Sequence, residues 1–354
     1  MSDAETYMGR ALRLAARAAG RTSPNPLVGA VLVRGGEIVG EGFHRAAGQP
    51  HAEVEAIRKA GDRARGATLY VNLEPCSHHG RTGPCAVAVR EAGIARVVAA
   101  MRDPDPRVDG RGFRVLRDAG IAVEQGVLAG EAERLNEGFI TRVRSGRPFV
   151  LLKLAMTVDA RVAVPGRRYL SGKRALREVH RLRDRYDAVL VGTGTVLADD
   201  PRLTVREVKG RDPLRVVVDS DARTPATANV VRAKDPQRTI VCVARDADAR
   251  RVSRLRSAGV LIAAFSRTAD GIDLGAVLRW LAEQGVNTVL SEAGPHVASA
   301  LVRDGLADRA LFVISPLVGG DGPRALDGIP EARELRDAKV RRLGEDVLVE
   351  GYLR

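Results

Sequence analysis

The chain has 354 residues, which at roughly 150 residues per domain points to two domains rather than one. Hydrophobic residues make up 45% and charged residues 29%, a globular balance that excludes disorder as the default. Lysine and arginine number 57 against 44 acidic residues, and the formal charge of +13 favours an anionic partner: nucleic acid, a membrane surface or a phosphorylated metabolite.

An opening helix is expected over 4–19, because Tyr7, Met8, Ala11, Leu12, Ala15 and Ala18 share one face and Gly20 follows as a stop. The SPNP step at 23–26 breaks it, and 27–33 with 37–42 read as a hairpin around Arg34-Gly35-Gly36. A helix over 52–59, a strand over 67–73, a helix over 86–92 and a strand over 97–101 follow in α/β order. From 138 to 148 the pattern becomes an Arg-rich connection, TRVRSGRP, and a domain boundary is placed near 145–147, giving domains 1–146 and 147–354. The second half opens with a strand over 149–156 and continues with a helix over 173–186 and strands at 188–192, 215–219 and 239–243. A helix over 273–284, a strand at 286–290 and a last helix and strands complete it. The halves do not resemble each other, so two different jobs are expected.

The cations are scattered and form no block of like charge, and one Trp, five Tyr and six Phe supply few platforms for stacking bases. No apolar run reaches the length of a membrane span, and Asp3 and Glu5 interrupt the N-terminus where a signal core would lie, so a cytoplasmic protein without nucleic-acid or membrane partners is expected. Three cysteines make no disulfide framework and point to metal ligation or nucleophilic chemistry.

His51-Ala52-Glu53 is an H-x-E step, and EPCSHHGRTGPC later supplies Cys76 and Cys85. One imidazole and two thiolates suit Zn²⁺, and three protein ligands leave the fourth position open for a water made acidic by the metal. Glu53, beside a ligand without being one, is placed to shuttle protons, as in the zinc nucleobase deaminases. His51 and Cys85 would each begin a helix, whose N-terminal charge favours thiolate and developing anions. The strand over 67–73 would deliver Glu74 and Cys76 to a sheet edge. A closed structural zinc site with a fourth ligand from His78 or His79 is the competing reading, and it gives Glu53 no purpose. Eight residues separate the cysteines where the common signature has two. Cys242 reads as core, and His180 and His296 as non-ligands.

In the second half Gly192-Thr193-Gly194-Thr195 lacks the third glycine of a dinucleotide fingerprint, so a Rossmann fold is not supported. Lys153 interrupts the apolar run LLKLAM, which calls for an ion pair or a cleft-facing position.

The strings SPNPLVGAV (23–31), HRAAGQPHAEVEA (44–56), LEPCSHHGRTGPC (73–85) and DPDPRVDGRG (103–112) resemble the bifunctional riboflavin-biosynthesis deaminase/reductase family, whose zinc cysteines carry this long insertion. LKLAMTVDARVA (152–163), HRLRDRYDAVLVGTGTVLADDPRLTVR (180–206) and LSEAGP (290–295) resemble the same family's reductase domain, so the matches span nearly the whole chain. The resemblance implies an α/β fold class, with an N-terminal cytidine-deaminase-like α/β/α domain and a C-terminal dihydrofolate-reductase-like α/β domain. It implies zinc-dependent deamination of 2,5-diamino-6-ribosylamino-4(3H)-pyrimidinone 5′-phosphate, then NADPH-dependent reduction of the ribosyl chain to ribityl. It assigns His51, Cys76 and Cys85 to zinc and Glu53 to catalysis, and places Asn25, His44, Arg81 and Asp103 around the substrate. In the second domain it assigns Met156, Tyr169, Thr195, Asp199 and Gly294 to NADPH. Lys153, Arg183, Leu203, Arg206 and Glu292 fall to the substrate, the two arginines to its phosphate, with Asp199 and Glu292 near the hydride site. A homo-oligomer, dimer or tetramer, is implied as well. Gly83 stands where Pro is usual and Asp105 where Asn is usual. The rival readings are a tRNA or nucleobase zinc deaminase with an accessory domain, a non-catalytic zinc-stabilised module, and a protein with one decayed domain.

Overall fold

The computed structural model describes residues 2–77, 83–167 and 169–353. Its contacts divide the chain into two units, Met1–Gly146 and Arg147–Arg354.

The first unit runs α1 (Asp3–Ala16), β1 (Gly29–Arg34), β2 (Glu37–Phe43), α2 (Ala52–Ala60), β3 (Thr68–Val71), α3 (Cys85–Glu91), β4 (Arg96–Ala99), α4 (Arg111–Asp118), β5 (Ala122–Gln125), α5 (Ala129–Leu135) and α6 (Glu137–Ser145). Five strands pair in the order β2-β1-β3-β4-β5, antiparallel from β2 to β3 and parallel from β3 to β5. Strand alternation divides the core between the two faces. Ala30 and Leu32 of β1 pack with Ala52, Ala56, Ala86, Val89, Phe113 and Leu116, from α2, α3 and α4. Val31 and Val33 pack with Met8, Ala11 and Leu14 of α1 and Ala132 of α5. The result is an α/β/α sandwich.

Helix α2 lies directly on β2 because Gly42 has no side chain: a Cβ there would stand 2.5 Å from the Ala52 carbonyl oxygen. That close approach sets the height of the turn carrying His51 and Glu53.

The Arg-rich connection expected over 138–148 is instead α6 for most of its length. The helix buries Gly138 and Phe139, while its arginines stay on the partly exposed side. Periodicity missed α4 as well, since its eight residues bury only Gly112, Phe113 and Leu116.

The second unit runs β6 (Phe149–Thr157), α7 (Lys173–Arg185), β7 (Ala188–Gly192), α8 (Thr193–Asp199), β8 (Leu214–Val218), β9 (Thr239–Ala244), α9 (Ala249–Ser257) and β10 (Leu261–Phe265). It continues with β11 (Arg267–Thr268), β12 (Gly271–Ile272), α10 (Leu274–Glu283), β13 (Thr288–Ser291), α11 (Pro295–Arg303), β14 (Arg309–Ser315), β15 (Leu335–Leu343) and β16 (Asp346–Leu353). A nine-stranded sheet has the order β10-β9-β8-β7-β13-β6-β14-β16-β15. It is parallel from β10 to β14 and antiparallel across β14, β16 and β15. The parallel strands are apolar on both faces, as strands covered on both sides must be. Cys242 is a fully buried core residue of β9, and burial pushes its thiol up to about 12, which keeps it inert. The small-residue stretch after β7 turns at once into α8 rather than remaining a loop. The order reverses where β13 inserts between β7 and β6, and clefts form at the carboxyl ends of strands at such a point.

Candidate active sites

In the first unit three elements converge. His51 is the N-cap of α2, Cys85 is the first residue of α3, and Cys76 follows the carboxyl end of β3. β3 is the middle strand, so the site lies at the end of the sheet rather than at a lateral edge. His51 Nδ1 stands 3.1 Å from Cys85 Sγ and 3.6 Å from Cys76 Sγ. Two ligands of a tetrahedral zinc, bonded at about 2.0 and 2.3 Å, stand roughly 3.6 Å apart, so the donor set fits the metal. Among the described residues this is the cluster of three donors that suits an ion. His78, His79 and Arg81 lie outside the described residues.

Of the two thiols, Cys76 is already biased towards the thiolate that ligates a metal. The hydrogen bond from Cys85, with help from His51, holds the Cys76 thiol down at about 4, and Cys85 keeps the proton of the pair. Bonding to Cys76 raises His51. Glu53 lies one step into α2, only 3% exposed, and burial pushes its carboxyl up to about 7, near the range a proton shuttle needs.

Glu74, two residues before Cys76, ties its segment to α4 and the loop before it, a role the sequence reading did not give it. Its buried carboxylate accepts the backbone N–H groups of Asp103 (3.2 Å), Gly110 (2.9 Å), Gly112 (2.9 Å) and Phe113 (3.3 Å), so it caps α4 from across the site. A Cβ on Gly112 would lie 1.9 Å from the Pro75 carbonyl oxygen. Gly112→Ala therefore pushes the Pro75-Cys76 segment off its position. We expect a loss of about 1–3 kcal/mol together with weaker zinc retention, read by thermal melting and metal analysis of the purified protein. Unchanged zinc content would show that Cys76 does not depend on this contact.

Beside the donors opens a cavity of about 460 Å³, whose wall includes Asn25, His44, Glu53, Asp103, Asp105 and Arg107. His44 is buried. Its Nδ1 lies 3.2 Å from the Pro50 carbonyl, which can only accept, so Nε2 is left to accept from Asn25 Nδ2 at 3.0 Å. Burial lowers the His44 pKa and keeps this neutral form. Asp103, raised to about 7 by burial, accepts the Asp105 N–H at 2.9 Å. Asp105, the departure from Asn, is clasped by Arg107, whose Nε stands 3.0 Å from both carboxylate oxygens. At Gly83 a Cβ would meet nothing within 4 Å, so that departure costs no packing. Arg107 and Arg142 line the cavity and were missed, because surplus arginine hides any single one.

In the second unit a cleft of about 940 Å³ opens at the carboxyl ends of β6, β7, β8 and β13. Lys153, Thr195, Asp199, Glu292 and Gly294 line it. Gly192 and Gly294 are the N-caps of α8 and α11, and Thr195 Oγ1 accepts the Gly294 N–H at 3.1 Å, which ties the two helix starts together. Paired helix N-termini suit the phosphates of a dinucleotide. Met156 is partly buried, and Tyr169 is 56% exposed; neither is among the cleft-lining residues.

Arg183 and Glu292 form a bidentate pair at 2.6 and 2.9 Å, each side chain 10% exposed. Burial alone would raise the Glu292 carboxyl, but Arg183 and Lys153 draw it below its ordinary range. Burial lowers the Lys153 ammonium, opposed by Glu292. Arg206 extends beside this group and folds its guanidinium onto Thr204 Oγ1 at 2.8 Å. Leu203 does not present its side chain to the cleft: it is 2% exposed in the core.

The comparisons agree with this anatomy. The family described as RibD C-terminal domain matches residues 148–349, and the cytidine and deoxycytidylate deaminase zinc-binding region matches 1–101. Riboflavin biosynthesis protein RibD of Escherichia coli K12 is 42% identical over 364 residues, covering 97% of this chain and 97% of its own length. Its counterpart in Aquifex aeolicus is 40% identical over 352 residues, covering 98% and 97%. The solved structure of Acinetobacter baumannii RibD superposes with a TM-score of 0.89 at 36% identity over 99% of both chains. A diaminohydroxyphosphoribosylaminopyrimidine deaminase/5-amino-6-(5-phosphoribosylamino)uracil reductase from Thermotoga maritima gives a TM-score of 0.87 at 37% identity over 99% of both. The expected fold classes, a cytidine-deaminase-like unit followed by a reductase unit of the dihydrofolate-reductase type, hold. Over nearly its whole length, and in both units, the chain belongs to the RibD family of riboflavin-biosynthesis proteins.

Proposed function

We propose that the chain is a bifunctional enzyme of riboflavin biosynthesis. The first unit hydrolytically deaminates the diaminopyrimidinone ribosyl phosphate, and the second reduces the ribosyl chain of the product to ribityl with NADPH. The observation that carries the reading is the His51, Cys76 and Cys85 donor set with the buried Glu53 beside it, at the floor of a cavity sized for one small molecule.

When bound, zinc supplies a Lewis acid that makes water nucleophilic near neutral pH. Glu53 takes the proton from the attacking water and returns it to the departing amine, so that ammonia leaves neutral. Asn25, His44 and Asp103 orient the pyrimidine from the cavity wall, and Arg81 belongs to the same substrate assignment. In the second unit the nicotinamide supplies the reducing equivalent. Thr195 and Gly294 hold the cofactor phosphates at two helix starts, with Asp199 as a further cofactor contact; Met156 and Tyr169, off the cleft lining, are assigned to the cofactor by the family resemblance alone. Arg183 and Arg206 receive the substrate phosphate, Lys153 is a further substrate contact, Glu292 fixes Arg183, and Leu203 contributes through its backbone. Among the described residues no helix is long and apolar enough to cross a membrane. A cytoplasmic location and a homo-oligomer belong to the same proposal, the latter checked by light scattering.

Chelation separates the two activities. Stripping zinc should stop ammonia release while leaving NADPH oxidation with the deaminated substrate intact, and zinc should restore the first. Ammonia release that survives complete metal removal would overturn the deaminase assignment. An absence of NADPH oxidation by the untreated protein would overturn the reductase assignment.

A further inference from the structure

Arg206 reaches the reductase site on a segment that the chain would not adopt by itself. Asp200 (φ 42°) and Leu203 (φ 54°) both occupy the left-handed region that side-chain-bearing residues avoid. Such a conformation persists only where the surroundings over-determine it, and functional sites are where that happens. Here the surroundings hold the segment at 200 and at each residue from 203 to 206. The Asn229 N–H donates to Asp200 Oδ1 at 2.7 Å, and its side-chain amide donates to the other carboxylate oxygen at 2.7 Å. Leu203 is sunk into the core with Val191, Val217 and Val230. The Val205 N–H donates to Asp212 Oδ1 at 2.7 Å.

The last two holds come from one face of α7. Arg183 Nη1 donates to the Thr204 carbonyl at 3.0 Å, and one helical turn earlier His180 Nδ1 accepts the Arg206 N–H at 2.9 Å. His180 is 5% exposed and far from the zinc donors in sequence, so the reading that made it a non-ligand left it without a purpose. A backbone N–H can only donate, so the imidazole must keep the Nδ1 lone pair. The groups facing it agree: burial, then Arg183 and Arg206, push its pKa down to about 4, against weaker opposition from Glu292 and Glu207. It is an acceptor held uncharged between cations.

We infer that His180 is a positioning residue of the reductase site, whose Nδ1 fixes the 200–206 segment so that the Arg206 guanidinium stands with Arg183 at the phosphate end of the substrate. The inference rests on the reductase reading above. It names no contact between His180 and the substrate; the effect travels through the Arg206 backbone, and a small misplacement of an orienting group is costly to binding.

The test uses the full-length zinc-loaded protein. NADPH oxidation is measured against the deaminated ribosyl phosphate and, separately, against NADPH, for wild type, His180→Phe and His180→Asn. His180→Phe removes the acceptor and should raise KM for the ribosyl phosphate about tenfold, with KM for NADPH and ammonia release unchanged. His180→Asn offers a carbonyl oxygen near the position of Nδ1 and should recover most of the loss. His180→Ala makes the same comparison without added bulk where Phe fails to fold. An unchanged substrate KM in the Phe or Ala variant, or a loss shared equally between substrate and NADPH, overturns the inference alone. A wild-type protein that oxidises no NADPH overturns the reductase reading and this inference with it.

Discussion

Glu53→Gln should leave a folded protein that keeps its zinc and releases almost no ammonia. The exchange preserves shape and hydrogen-bonding reach but removes the group that can both accept and return a proton. General acid–base catalysis of this kind is worth about 10²–10⁴-fold, and that is the expected loss in kcat. Zinc content should not move, because the donors are His51, Cys76 and Cys85. Stability should hold or rise, since Glu53 is a buried carboxyl at 3% exposure and a neutral amide is easier to bury. The measurement is single-turnover ammonia release alongside metal analysis and a thermal melt. Release within tenfold of wild type would remove Glu53 from the mechanism, whereas a parallel loss of zinc would recast it as a ligand-supporting group.

Arg183→Ala carries the second large effect, on stability and reduction together. It leaves Glu292 as a buried carboxylate without its bidentate partner and strips a donor from the Thr204 carbonyl. Breaking a buried pair from one side costs about 3–5 kcal/mol, and in a unit of this size the second-domain transition should fall by roughly 10 °C. NADPH oxidation should fail, and ammonia release should survive at temperatures where the first unit is folded. The double variant Arg183→Met with Glu292→Gln separates the causes, because replacing both charges removes the stranded one. It should recover most of the melting temperature without recovering reduction. If the double variant also reduces substrate at the wild-type rate, the pair is structural only.

Much of the first site was legible in the chain. The donor set His51, Cys76 and Cys85, with Glu53 beside it, could be picked out because zinc chemistry restricts both the donor types and their neighbours. Strands such as β7, apolar at every position, also showed their bounds directly. The 111–145 stretch did not, since short helices with two or three buried residues carry too little periodicity to be told from an Arg-rich loop. Arg107, Arg142 and His180 were hidden for a related reason. In a chain with 57 basic residues no single Arg stands out, and a lone His has no local pattern. The +13 charge did not choose between nucleic acid and a phosphorylated metabolite; similarity to RibD proteins over nearly the whole chain, in both units, did.

By itself the sequence determined the chemistry of the donors, the alternation of helix and strand, and two unlike halves, because ligand type and local hydrogen bonding are properties of neighbouring residues. Only the tertiary structure decided which backbone N–H groups Glu74 would gather, that Gly112 must lack a side chain beside Pro75, and that Glu292 would take the Nε–Nη2 edge of the Arg183 guanidinium. Those partners lie tens of residues apart in the chain. Their pairing follows from how strands order in a sheet and how closely helices pack on it, which no local pattern encodes.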